Sequence, residues 1–139
     1  MGEMILKITA RLTAVIGILL YGFMLYLAYI QWKQNEFVHE SLGSEIFYLM
    51  NFGIFGSGLP PLMLAIYFLW LGMTVKEWVL GFVFVFLSIL VHYYVSGWAA
   101  HSEPAVYVPM QLAELAAVIG LIVYWHKKYR TSQINRFRM

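Results

Sequence analysis

The sequence predicts an all-α integral membrane protein, an up-down antiparallel bundle of four transmembrane helices, and three observations carry that prediction. Of 139 residues, 62% are hydrophobic and 12% charged, whereas a soluble domain uses about 25% charged residues to coat its surface. Four stretches, 12–31, 46–73, 78–98 and 105–126, are apolar enough and long enough to cross hydrocarbon, which takes roughly 20 mostly apolar residues. The charges are also sorted. With a cytoplasmic N-terminus, Lys7, Arg11, Lys76, Lys127, Lys128, Arg130, Arg136 and Arg138 fall inside and only Lys33 outside, the asymmetry that orients membrane proteins. Both termini are therefore expected in the cytoplasm and the chain in the plasma (inner) membrane, as one domain over 1–139.

The first span follows Lys7 and Arg11, as a signal peptide would. Its apolar run reaches Ile30 with no small-x-small cleavage pattern after it, so it reads as a retained helix. The outer segment that follows carries Glu36, His39, Glu40 and Glu45.

The second span is the least regular. Gly53, Gly56, Ser57 and Gly58 precede Pro60 and Pro61, and each proline removes a backbone donor and clashes with the carbonyl four residues earlier. A helix kinked or broken at 56–61 is expected, facing protein rather than lipid. The rival segmentation makes 43–57 a re-entrant or interfacial helix. It is less favoured, because the crossing alone keeps the later charges on their sides. The turn at 74–77 is short enough to make the second and third helices antiparallel neighbours.

The third span places Ser88, His92 and Ser96 at i, i+4 and i+8 on one stripe. In the fourth, Gln111 and Glu114 share a face, and Glu114 is the one charged residue inside any span. Such a residue is costly in hydrocarbon and marks a candidate site. On the nearly opposite face Ala113, Ala116, Ala117 and Gly120 form a small-residue stripe suited to close helix packing. With two faces that want protein, the fourth helix is expected to be enclosed, either centrally or by another subunit. Trp32, Trp70, Trp78, Trp98 and Trp125 all lie at or near span ends, where indoles favour the headgroup level. The tail 127–139 reads as a solvated, basic topology signal, with anionic lipid headgroups as its natural neighbours and no nucleic acid.

Rise along the helices sets His92, Gln111 and Glu114 near one depth in the outer half of the bilayer, with Asn51 entering from the second span. These four residues are the candidate ligand- or proton-binding cluster. A metal site would draw on His92, with His101 and Glu103 from the outer loop, and on Glu114 or His39. Nitrogen and oxygen donors of this kind suit zinc, copper or iron. The spacing matches no ligand pattern, however, and the plainer reading of His92 is a buried histidine bonded to Gln111 or Glu114. Haem is disfavoured, because His92 and His126 lie toward opposite ends of the membrane. A quinone slot walled by His92, Tyr93, Tyr94 and Trp98 is a further reading. The absence of cysteine excludes disulfides, thiolate metal sites and Cys-based cofactors. Ser57, in Gly56-Ser57-Gly58, lacks the Gly-x-Ser-x-Gly elbow of a nucleophile, and the scattered methionines read as core filling.

Two functions compete. The first is a small multi-pass subunit without a catalytic centre of its own, packing into a larger membrane complex of, for example, respiratory or oxidising type. The second is a ligand-, quinone- or metal-binding membrane enzyme or transporter that uses the cluster around Glu114 and His92. Other membrane subunits or self-association are the partners that either reading implies.

Overall fold

The computed structural model describes residues 1–34, 41–101 and 104–131, without the side chains at 98–101, 104, 105 and 107. Among them the chain is all-helical, with no strand. α1 is Gly2–Gln34, α2 Leu42–Ile54, α3 Leu59–Trp70, α4 Val75–His101 and α5 Pro104–Trp125. Gly2–Gln34, Val75–Gly97 and Val108–Arg130 are each long and apolar enough to cross a membrane. α2 and α3 pass the same test together, bent by 48°, as one broken span or a re-entrant loop.

Polarity is distributed as a bilayer demands and water would not. Leu19, Phe86 and Leu112 point outward, while Glu77, Ser88, His92, Gln111, Glu114 and Arg130 are buried. In hydrocarbon an outward polar group finds no hydrogen-bond partner, so the polar residues turn into the protein. Several long apolar helices with polar interiors suggest a membrane-embedded protein.

The junction between α2 and α3 has a local cause. Ser41 caps α2, its Oγ accepting from the Ser44 N–H at 3.1 Å. The helix then widens to π turns over Leu49–Ile54 and stops. Gly58 takes φ 101°, a left-handed conformation that a side chain would strain. Pro60 and Pro61 follow in the first turn of α3, where a helix lacks partners for its N–H groups anyway. These prolines therefore begin a helix rather than interrupt one. α3 widens in turn over Ala65–Trp70.

α3 sits at the centre. Its Ala65 and Leu69 pack with Ala10, Ala14 and Trp78, while its Leu64 and Phe68 pack with Val118 and Trp125. Ala10 and Ala14, one turn apart and fully buried, let α1 approach α3 closely. Gly81 does the same for α4, since a Cβ there would come within 2.7 Å of Leu69 Cδ2 and Phe68 Cβ. The small-residue face used inside this chain is thus that of α1. The α5 stripe, Ala113, Ala116, Ala117 and Gly120, is exposed, so among the described residues it has no central enclosure. The expected boundary at residue 126 also shifts. Helical winding continues through His126–Arg130, and Arg130 is buried rather than part of a solvated tail.

Candidate functional site

The buried polar groups form two clusters. His92 and Glu77 lie on the same helix, fifteen positions apart, or about 22 Å along α4.

In the first cluster the His92 Nδ1 lies 3.1 Å from Glu114 Oε1, joining α4 to α5. The other ring nitrogen, Nε2, is 3.3 Å from the carbonyl oxygen of Gly56 and 3.4 Å from Ser96 Oγ. Pro60 explains why that carbonyl is available. An α-helix would satisfy Gly56 O with the N–H of residue 60, and proline has none. His92 supplies the missing donor, with the Phe55 ring 5.7 Å from its own.

The chemistry of the pair follows from which atoms can donate. A carbonyl oxygen only accepts, so the bond to Gly56 places a hydrogen on Nε2. Nδ1 and Glu114 Oε1 then share one proton. Either a neutral carboxyl donates to the bare nitrogen, or an imidazolium donates to the carboxylate. Both arrangements have zero net charge, the condition a low-dielectric site tolerates. Satisfaction is incomplete, however. Glu114 Oε2, Gln111 Oε1 and Ser88 Oγ are buried without a hydrogen-bond partner.

A cavity of about 510 Å³ lies between α2, α3 and α5, with Met50, Asn51, Ile54, Phe55, Gln111 and Leu112 among its lining residues; His92 and Glu114 do not line it, and Phe55, whose ring faces His92, is the link between pair and wall. Met50, Ile54 and Leu112 are exposed, so the cavity opens on the side of the bundle. The structure divides the four candidate residues accordingly. His92 and Glu114 meet directly, whereas Gln111 and Asn51 belong to the cavity wall. Asn51 donates from Nδ2 to Phe47 O at 2.9 Å, a bond within its own helix.

The other readings fare differently. Glu103 and the side chain of His101 lie outside the described residues, as does His39. Among the described residues no group of three His, Cys, Asp or Glu is placed to hold a metal. Of the residues expected to wall a quinone slot, Tyr93 and Tyr94 are 81% and 59% exposed. Trp98's side chain is outside the described set. The cavity lies instead against α2, α3 and α5.

The second cluster was not foreseen from the sequence. Glu77 Oε1 accepts from Trp125 Nε1 and Arg130 Nε, both at 3.0 Å. Its Oε2 accepts from the Met73 N–H at 2.7 Å and from Arg130 Nη2 at 3.4 Å. Arg130 Nη2 also donates to Tyr67 O and Leu71 O, and its guanidinium lies 4.0 Å from the Tyr67 ring centroid. Thr74 begins α4, its Oγ1 accepting from the Glu77 N–H. That Thr-x-x-Glu spacing resembles a capping box, and it was the available signal for Glu77. Nothing local marks Arg130, fifty-three residues away.

The chain matches no protein family model, no curated protein and no solved structure.

Proposed function

We propose that this chain is a small multi-pass membrane protein whose functional centre is a ligand-binding site at the His92–Glu114 pair and Gln111. In this reading α2 and α3 form one broken crossing, the four crossings run antiparallel as one domain, and both termini lie on the cytoplasmic face of the plasma (inner) membrane. One observation carries it: Glu114 Oε2 and Gln111 Oε1 are buried acceptors without donors. Leaving such a group unsatisfied costs about 1–3 kcal/mol, and an unsatisfied polar cluster beside a cavity is where a ligand has something to gain. Glu114 and His92 would hold or pass the shared proton, and Gln111 and Asn51 would orient the ligand.

A second reading, the accessory subunit of a larger complex, is favoured by the exposed Ala113, Ala116, Ala117 and Gly120 stripe, a face that packs well on another helix. Native mass spectrometry of the assembly released from its own membrane in mild detergent separates the two. The ligand reading expects a small-molecule adduct on the wild type that Glu114→Gln loses while its oligomeric state is unchanged. Larger polypeptides in fixed stoichiometry, no adduct in either form, and weakened assembly of Glu114→Gln would instead establish the subunit.

A further inference from the structure

We infer that the cavity between α2, α3 and α5 takes a neutral lipophile bearing a hydroxyl, which enters sideways from the bilayer and donates its O–H to Gln111 Oε1. This inference rests on the ligand reading above and adds the chemical class and the door.

Four observations converge on it. The cavity's volume of about 510 Å³ falls within the range of small-molecule sites. Its lining is apolar except for Asn51 and Gln111, so a charged head would be desolvated without a counter-charge on the wall. Its mouth lies among exposed residues of α2 and α5, including Met50, Ile54 and Leu112, which in a bilayer means that acyl chains are its solvent. Gln111 is 4% exposed, and its Oε1 has no hydrogen-bond partner.

The polar atoms nearby also decide which kind of head fits. Asn51 gives one Nδ2 hydrogen to Phe47 O. His92 spends Nε2 on Gly56 O and shares its remaining proton with Glu114. The unpartnered Gln111 Oε1 is an acceptor, and it stands beside the N–H donors of the same amide. A hydroxyl can donate to the one and accept from the other, whereas a ketone, quinone or ether only accepts. Gln111 Oε1 is itself buried. Rotation about the terminal amide torsion, which has broad wells, turns that oxygen outward to the ligand. Binding thereby satisfies the buried acceptor. A smaller cavity, about 230 Å³ and lined by Leu25, Ala28, Tyr29, Tyr48, Leu49 and Gly53 among others, has no side-chain amide on its wall.

Two sources share this chemistry, a long-chain lipid alcohol and a reduced quinone. The test titrates the full-length protein in lipid nanodiscs with decan-1-ol and its methyl ether, and with tetramethylhydroquinone and its dimethyl ether, followed by native mass spectrometry. At least one hydroxyl compound should bind about tenfold tighter than its ether, the worth of one buried hydrogen bond, and the stronger arm identifies the source. Gln111→Leu should bring alcohol and ether to equal affinity. Leu112→Trp, placed on the exposed lip so that the fold is untouched, should abolish both by filling the mouth.

Equal binding of alcohol and ether to the wild type, or a preference that survives Gln111→Leu, overturns the hydroxyl assignment and leaves the ligand reading intact if an endogenous adduct is present. Tight binding that Leu112→Trp does not reduce overturns the lateral door. Absence of both adduct and binding fails the ligand reading itself.

Discussion

The two polar clusters of α4 hold a similar pair of groups, a glutamate and a nitrogen base, yet differ in how completely the groups are satisfied. Around Glu77 every carboxylate oxygen has two donors, and Arg130 reaches two backbone carbonyls besides. Around Glu114 one oxygen has no partner at all, and neither has Gln111 Oε1. A fully bonded buried network fixes geometry and gains nothing from a ligand. A partly bonded one is costly as it stands, and it persists where that cost has a use. The difference marks Glu77–Arg130 as the tie that holds α3, α4 and α5 together, and it is the ground for proposing His92–Glu114 as the ligand site.

The largest expected effect breaks the satisfied cluster. Arg130→Met leaves Glu77 charged, buried and deprived of its counter-ion, and should lower stability by about 3–5 kcal/mol. Thermal unfolding in detergent, followed by circular dichroism, measures it. Adding Glu77→Leu to that variant should recover most of the loss, because the penalty lies in the orphaned charge rather than in the missing attraction. A single variant within 0.5 kcal/mol of wild type, roughly the level of an ordinary surface substitution, would remove the latch role and with it half of the contrast.

How much of this was legible depends on range. The apolar stretches of α1, α4 and α5 and the disorder of pattern near Pro60 are local, and hydropathy reads local composition. Depth along the helices set His92 and Glu114 near one level, and their side chains stand 3.1 Å apart. Gly56 O was accessible in principle, four residues before a proline, but nothing in the spacing says which side chain replaces the lost donor. Arg130 was read as part of a solvated tail and Glu77 only as the end of a short turn, because each flanks a span. Their pairing depends on α5 winding on past Trp125 until Arg130 reaches Glu77 and the carbonyls of Tyr67 and Leu71, a tertiary event with no sequence period. Asn51, expected in that cluster, lies on the cavity wall with its Nδ2 bonded within its own helix.

A middle-sized effect separates the two halves of the His92–Glu114 pair. His92→Leu orphans Gly56 O and leaves Glu114 alone, and should cost about 1–3 kcal/mol. Glu114→Gln keeps the shape and can still bond His92, so it should cost about 1 kcal/mol or less. Both are read by the same unfolding measurement. If Glu114→Gln proved as damaging as Arg130→Met, the two clusters would be alike and the division between latch and site would fail.

The smallest effect is the sharpest test of why His92 sits where it does. Pro60→Ala restores an N–H four residues beyond Gly56, and Gly58 can leave its positive φ to let that turn close. The carbonyl would then have a donor of its own, and His92 would be released from one of its bonds. Alone, the substitution also trims a buried ring, so its total effect mixes two causes. The coupling between Pro60→Ala and His92→Leu isolates one of them. His92→Leu should cost about 1 kcal/mol less on the Pro60→Ala background than on the wild type. Strict additivity would mean that Gly56 O does not depend on His92, and that the histidine is held by Glu114 alone. Positive coupling would tie the broken helix to the site, the proline supplying the acceptor that orients the ring whose other nitrogen shares the proton with Glu114.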